Sequence, residues 1–248
     1  MVESVTVVTE DHILGGRVSL RQPAKGYRAG VDAALLAAAC DAQPGARVIE
    51  PGCGVGAVML AAAARRPGVA FVGLERDAGA LALARHNIDA NGVADRVEAL
   101  AGEVAERPSG GAAFAAALCN PPFFDDPSRL RAPHPAKAGA WMADDGLDAW
   151  ASFLLKAVRE GGTLTLIHRA DRLADLLGLL QPKAGSIQIR PVHPFADAAA
   201  SRVLVRAVKT GKAPLKLLPP LVLHERGGAK HTAEAEAILR GEADLPWL

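Results

Sequence analysis

The sequence predicts an α/β fold: a mostly parallel sheet with helices on both faces, finished by an antiparallel hairpin. Three observations carry this. Short apolar, often β-branched runs alternate with segments of helical spacing along most of the 248 residues. One strand, Arg47-Val48-Ile49-Glu50, runs through Pro51-Gly52-Cys53-Gly54-Val55-Gly56 into the helix-like stretch Ala57 to Ala64. The last two β-branched runs, Ser186 to Val192 and Arg202 to Lys209, have only a loop between them and therefore pair as a hairpin.

Taken in order, Ile13 to Leu20 reads as a strand-rich lead and Asp32 to Ala39 as a helix before the first core strand. Val69 to Leu74 is the second core strand and ends in Glu75. Asp77 suits the N-cap of a helix that stops at Asn91-Gly92. Arg96 to Ala101 and Ala113 to Cys119 are the third and fourth strands. Leu147 to Arg159 has helical spacing, with Gly161-Gly162 as its stop and Thr163 to His168 as the fifth strand. Asp171 to Leu180 is a helix, and Leu221 to Leu248 reads as a closing segment whose helix is capped by Thr232. The expected division is 1–45 as a lead-in that helps close the site, 46–210 as the core, and 211–248 as an extension packed on it.

Half of the residues are hydrophobic, enough for one sizeable core in a chain of this length. Cys40, Cys53 and Cys119 are an odd number at wide spacing, which suits reduced thiols and offers neither a metal nor a disulfide pattern. Met1 to Thr6 lacks a basic region followed by an apolar core, and no run reaches membrane-spanning length. The expectation is a cytoplasmic protein without metal or membrane, a monomer or homodimer.

The motif with the most chemical content is Asn120-Pro121-Pro122-Phe123, directly after the fourth strand. A nitrogen attached to an aromatic ring or carbonyl is a poor nucleophile because its lone pair is delocalised. A site that alkylates it gains by supplying acceptors for its two N–H groups as the nitrogen moves toward tetrahedral geometry. The Asn120 side-chain oxygen and the Pro121 carbonyl can be those acceptors. Pro121 and Pro122 fix φ and remove two competing donors, and Phe123 offers a flat face for a ring. In the glycine turn, Gly52, Gly54 and Gly56 allow close backbone approach to a ligand, and the Glu75 carboxylate can accept from both hydroxyls of a ribose. Gly52, Gly54 and Ala57 also fit a dinucleotide fingerprint. Against that stands Glu50, whose carboxylate suits a ligand ammonium and would oppose a pyrophosphate.

These residues together resemble the S-adenosylmethionine-dependent methyltransferases that use an Asn-Pro-Pro-aromatic motif on exocyclic or amide nitrogens. Gly26-Tyr27-Arg28-Ala29-Gly30-Val31-Asp32-Ala33-Ala34-Leu35-Leu36 looks like the corresponding element of bacterial tRNA1(Val) adenine-N6 methyltransferases, and the similarity runs to about residue 210. The resemblance implies a Rossmann-like class I methyltransferase with a seven-stranded sheet, using S-adenosyl-L-methionine. It implies cofactor contacts from Arg28, Asp32, Glu50, Gly52, Cys53, Gly54, Gly56, Glu75, Arg76, Glu103, Val104 and Asn120, and catalysis by Asn120, Pro121, Pro122 and Phe123. Glu50 and Glu103 stand where Asp is commoner in the family. The implied substrate is an adenine N6 amine in tRNA or another RNA. A glutamine amide in a protein such as a release factor is the alternative; those enzymes usually have Tyr as the motif's aromatic and an N-terminal helical substrate domain, whereas only about 45 residues precede the first core strand here. A non-catalytic cofactor- or RNA-binding module is the alternative from another class.

Formal net charge is +1, which alone does not argue for nucleic acid. Two stretches are nevertheless free of acids. Pro127 to Met142 carries Arg129, Arg131 and Lys137, and Ala198 to His224 carries Arg202, Arg206, Lys209, Lys212 and Lys216. Both are candidate phosphate contacts, and equally a solvated loop and a protected strand edge. The histidines show no pairing with a carboxylate and nucleophile, Trp141 is placed to border a base pocket, and Trp150 has the spacing of a core residue.

Overall fold

The lead begins as a β-hairpin. In the computed structural model, which describes residues 7–25, 28–106, 113–122 and 146–248, β1 (Val8–Ile13) pairs antiparallel with β2 (Val18–Pro23). The stretch expected as one strand-rich lead contains the turn of this hairpin, because Leu14, Gly15 and Gly16 all have positive φ. The hairpin is fastened to the core by two asparagines. Asn87 accepts from Arg21 N at 2.7 Å and donates to Arg21 O at 3.0 Å, while Asn91 bonds Ser19 N and O in the same way at 3.0 and 2.8 Å.

Helix α1 (Val31–Ala38) follows, then the alternation of β3 (Arg47–Pro51), α2 (Ala57–Arg65), β4 (Ala70–Glu75), α3 (Ala78–Ala90), β5 (Val97–Ala101) and β6 (Phe114–Cys119). Asp77 caps α3 by accepting from Ala80 N at 2.7 Å, and Gly92 follows its end with φ 65°. Beyond come α4 (Leu147–Ala157), β7 (Val158–Arg169), a 3-10 turn at Ala170–Arg172, α5 (Leu173–Leu180), β8 (Ala184–His193) and β9 (Arg202–Lys209). Two short strands, β10 (Lys216–Leu217) and β11 (Leu221–Val222), precede α6 (Ala233–Arg240), whose first turn is capped by Thr232.

The central sheet has the order β10-β8-β9-β7-β6-β3-β4-β5, with β11 also on β8. Strands β3 to β7 are mutually parallel, and β9 runs antiparallel to both β7 and β8. This is the expected architecture: the seven strands β3 to β9 form the anticipated sheet with its antiparallel hairpin. The two-residue strands β10 and β11 raise the count to nine, because the extension expected as a helical closing segment first adds to the edge of β8.

One boundary differs more. Gly161-Gly162 does not end a helix: α4 stops at Ala157, and Val158 is already extended and pairs with Phe114. The register then shifts before Ala116 pairs with Thr163, so the glycines sit in a strand irregularity. A Cβ at Gly162 would lie 2.7 Å from Ala115 O, which no side chain tolerates.

Each face of the sheet has its own apolar layer. On one, Val48, Phe71 and Leu118 meet α1, α2 and α3 together with Leu14 and Leu20 of the hairpin and Ile238 and Leu245 of the extension. On the other, Ile49, Val72, Ala117 and Leu166 meet Trp150, Phe153 and Leu154 of α4 and Leu176 and Leu180 of α5. The extension is held by Trp247 Nε1 donating to Ala39 O at 2.8 Å and by Arg66 pairing with Asp244 at 2.9 Å.

Candidate active site

Register brings three of the expected residues into one row. Ile49 lies opposite Val72 on one side and Ala117 on the other. The pairing of Pro51 with Leu74 brings Gly52 beside Glu75, and Asn120 follows the end of β6 on the other side of β3. Adjacent strands are about 4.8 Å apart, so Glu75 and Asn120 flank the glycine turn at roughly 10 Å from each other, at the carboxyl ends of the parallel strands.

The turn itself is built by its glycines and by two buried acids. Gly52 and Gly54 have φ of 65° and 55°, the left-handed region that other residues enter at a cost. A Cβ at Gly54 would meet nothing within 4 Å among the described residues, which leaves this side of the turn room for a ligand. Gly52 has no such room. Its Cβ would fall 2.5 Å from Trp150 Cη2, because the six-membered ring of the indole packs against the turn. Trp150 thus joins α4 to the glycine turn, a role that its helical spacing does not disclose. We expect Gly52→Ala to lower stability by about 2–4 kcal/mol, from backbone strain plus overpacking. Urea unfolding checks this; a loss under about 0.5 kcal/mol would contradict it.

Glu75 is buried, and its two carboxylate oxygens accept from Gly54 N and Asp77 N, both at 2.8 Å. Each oxygen keeps a further lone pair, so the group can still receive two hydroxyls. Glu50 is deeper, with one oxygen accepting from Met59 N at 3.0 Å, an otherwise unpaired donor in the first turn of α2. Burial pushes its carboxyl well above the usual range; the Met59 bond opposes this and the charge of Glu75 adds to it. Folding therefore favours the protonated form. The associated stability is complete below the ordinary value of 4.5 and is lost as pH rises through the raised one. Glu50→Gln should flatten that decline. Melting temperatures across a pH series test it, and a parental slope in the variant would contradict the assignment.

Asn87 is a contributor that no local sequence signal singles out. Buried in α3, it donates to Val55 O at 2.9 Å while holding β2, so one amide ties the hairpin to the glycine turn. Cys53 is buried in the turn, its N–H bonded to Leu74 O at 3.0 Å. Burial, with the neighbouring acids adding, raises its thiol well above the ordinary value; Cys119 is raised likewise and Cys40 to about 11. All three are protonated thiols at neutral pH, unsuited to nucleophilic chemistry.

The remaining expected residues are less concentrated. Arg28 is bound to the hairpin through Asp11 Oδ2 at 2.6 Å, Thr9 Oγ1 at 2.7 Å and Pro23 O at 3.2 Å. Asp32 pairs with Arg202 at 3.1 Å. Arg76 and Glu103 are exposed just beyond β4 and β5, with Val104 half-buried beside them. Pro121 is buried and Pro122 half-buried after Asn120. Phe123, Arg129, Arg131, Lys137 and Trp141 lie outside the described residues, as do Gly26 and Tyr27. The second basic stretch does not stay at this rim: β9 is antiparallel, so Arg202 is on the side of Asn120 and Lys209 at the opposite end. Arg206 and Lys209 pair there with Asp41 and Glu160. Among the described residues, no group of His, Cys, Asp or Glu could hold a metal, and no helix is long and apolar enough to cross a membrane.

The sheet order, the glycine turn between β3 and α2 and the acids at the ends of β3 and β4 define a class I methyltransferase fold. Residues 28–132 match the family model of the methyltransferase small domain. Among solved structures, the chain is similar to a predicted O-methyltransferase from Agrobacterium tumefaciens, with a TM-score of 0.73, 26% identity and coverage of 87% of this chain and 99% of that one. Among curated proteins it is similar to the release factor glutamine methyltransferase of Chlorobaculum tepidum, 28% identical over 67% of this chain and 60% of the relative. The corresponding enzyme of Gloeobacter violaceus is 31% identical over 63% and 57%. The matches span about 60% of the length of these curated relatives. The core thus has the fold of S-adenosylmethionine-dependent methyltransferases and is similar to them in sequence. The open side of the turn at Gly54, with the Glu75 carboxylate beside it, fits that cofactor.

Proposed function

We propose that this protein methylates an exocyclic adenine amine, N6, in RNA, with tRNA as the substrate class. The observation that supports the reading is that Glu75 ends β4 and Asn120 follows β6, the two strands on either side of β3 and its glycine turn. An acid able to take ribose hydroxyls and an amide able to accept from an amine thus lie on either side of one turn. When bound, S-adenosylmethionine supplies a methyl group already activated on a sulfonium, so no residue has to activate the donor. In this reading Glu75 accepts from the ribose hydroxyls, the Gly52 to Gly56 backbone lies along the methionine part, and the ligand ammonium draws Glu50, protonated in the free fold, into the carboxylate form that faces it. Asn120 Oδ1 and the Pro121 carbonyl accept from the two N–H groups of the target amine, an arrangement most useful as that nitrogen becomes tetrahedral. Phe123 stacks on a base turned out of the RNA. The product nitrogen is cationic and sheds its proton without a dedicated base. Arg129, Arg131 and Lys137, in the sequence that follows, are proposed phosphate contacts.

The curated relatives favour a second reading, a glutamine amide in a protein, since the same acceptors would serve an amide nitrogen. Supporting the adenine reading, the residues directly before the core form a hairpin and α1, and the Gly30-to-Leu36 segment that resembles the adenine enzymes is the start of that helix. The test is parallel incubation with tritium-labelled S-adenosylmethionine and either total tRNA or purified release factors. Label recovered as N6-methyladenosine after nuclease digestion supports the proposal. Label found only in a release-factor glutamine would replace it with the second reading.

A further inference from the structure

Away from the glycine turn, but at the same end of the parallel strands, four planar side chains form a continuous series. The Arg226 guanidinium lies 4.4 Å over the Phe195 ring, Phe195 is 5.6 Å from the His224 ring and tilted at 49° to it, and His224 stacks on His231 at 5.0 Å and 30°. Arg226 is the outermost plane, with its side chain 63% exposed. Asp197 grips the guanidinium through its edge, accepting from Nε at 3.1 Å with both oxygens. The grip orients the plane and leaves its outer face to solvent.

The stack is held in place. Leu223 N donates to His193 O at 2.9 Å, His224 N to Pro194 O at 3.0 Å and Thr232 N to Leu223 O at 3.0 Å, so the segments carrying the four residues are tied together at their bases. His224 Nδ1 lies 2.6 Å from Lys230 O and must donate to it, since a carbonyl only accepts. Topology puts this structure on the rim of the site. Strand β8 ends at His193, with Val222 of β11 beside it, and both run parallel to β6, which ends just before Asn120. The row through Asn120 crosses β7 and β9 to reach β8 at Arg190, three strand spacings or about 14 Å away, and His193 lies three residues, or about 10 Å, farther along β8.

We propose that this stack is a platform on which an unpaired RNA base, near the methylated one, lies against the Arg226 plane. The inference rests on the reading that RNA is the substrate. Arginine planes backed by aromatics are suited to unstacked bases, and preorganisation lowers the cost of ordering the contact. Asp197 and Glu225 offset Arg226 and Lys230 locally, so recognition here is by stacking and adds little to the attraction of phosphates.

The test uses the full chain with unmodified tRNA. Arg226→Ala should raise the tRNA dissociation constant about fivefold to a hundredfold, with little change in its salt slope, in kcat at saturating tRNA or in S-adenosylmethionine affinity. Arg226→Lys should not restore binding, because it returns the charge without the plane. The site of substitution is exposed, and equal melting temperatures exclude a folding defect. If the parent methylates tRNA and Arg226→Ala binds it equally well, or if Lys restores binding fully, the platform is refuted while the substrate reading stands. If the parent neither binds nor methylates any tRNA, the substrate reading fails and the platform with it.

Discussion

Asn120→Ala is expected to lose at least about a hundredfold in single-turnover methyl transfer, because it removes the proposed acceptor for the target nitrogen as that nitrogen gains tetrahedral character. Asn120 follows the buried end of β6, one strand from the glycine turn, with Pro121 buried behind it. The substitution leaves the turn and both acids in place, so S-adenosylmethionine affinity should change less than about threefold. The split between rate and affinity is the informative part. A rate within a few-fold of the parent would remove Asn120 from the chemistry. A parallel loss of cofactor affinity would assign it to binding instead.

Glu75→Ala is expected to weaken S-adenosylmethionine binding about tenfold to a hundredfold in calorimetry. Two effects contribute. The carboxylate is the proposed acceptor of the ribose hydroxyls, and it also fixes Gly54 N and Asp77 N, each at 2.8 Å, which shapes the turn before any ligand arrives. Glu75→Gln separates them: its single amide oxygen can hold one of those N–H groups, while its NH2 faces the other. It should therefore be as impaired as Ala or more so. Unchanged affinity in a folded Glu75→Ala protein would sink the assignment.

Much of this was legible in the sequence because it depends on local rules. Strands β3, β4 and β6 are short apolar runs ending in a charged or polar residue, and the glycine turn is marked by three residues that alone enter positive φ easily. Asp77 and Thr232 announce their helices because a side-chain oxygen is needed at an N-cap. What was not legible is non-local. Asn87 and Asn91 look like ordinary helix residues until β2 arrives to bond them. Trp150 looks like core packing until Gly52 is found against its ring. The α4 to β7 boundary was misplaced because Val158 continues the apolar spacing of the helix, and only pairing with Phe114 makes it a strand. The basic residues from Arg202 form one acid-free run in sequence, yet an antiparallel strand carries it from the rim to the opposite end, where Asp41 and Glu160 meet Arg206 and Lys209. The Arg226 stack joins residues from two separate loops and has no linear signature.

The most direct measurement is a crystal structure of the protein with S-adenosylhomocysteine and an adenine-containing RNA fragment. The account predicts ribose hydroxyls within about 3 Å of both Glu75 oxygens, the sulfur on the β6 side of the glycine turn, and an adenine N6 within the same reach of Asn120 Oδ1. Ligand density that leaves Glu75 without the ribose, or sets the sulfur away from Asn120, would contradict it.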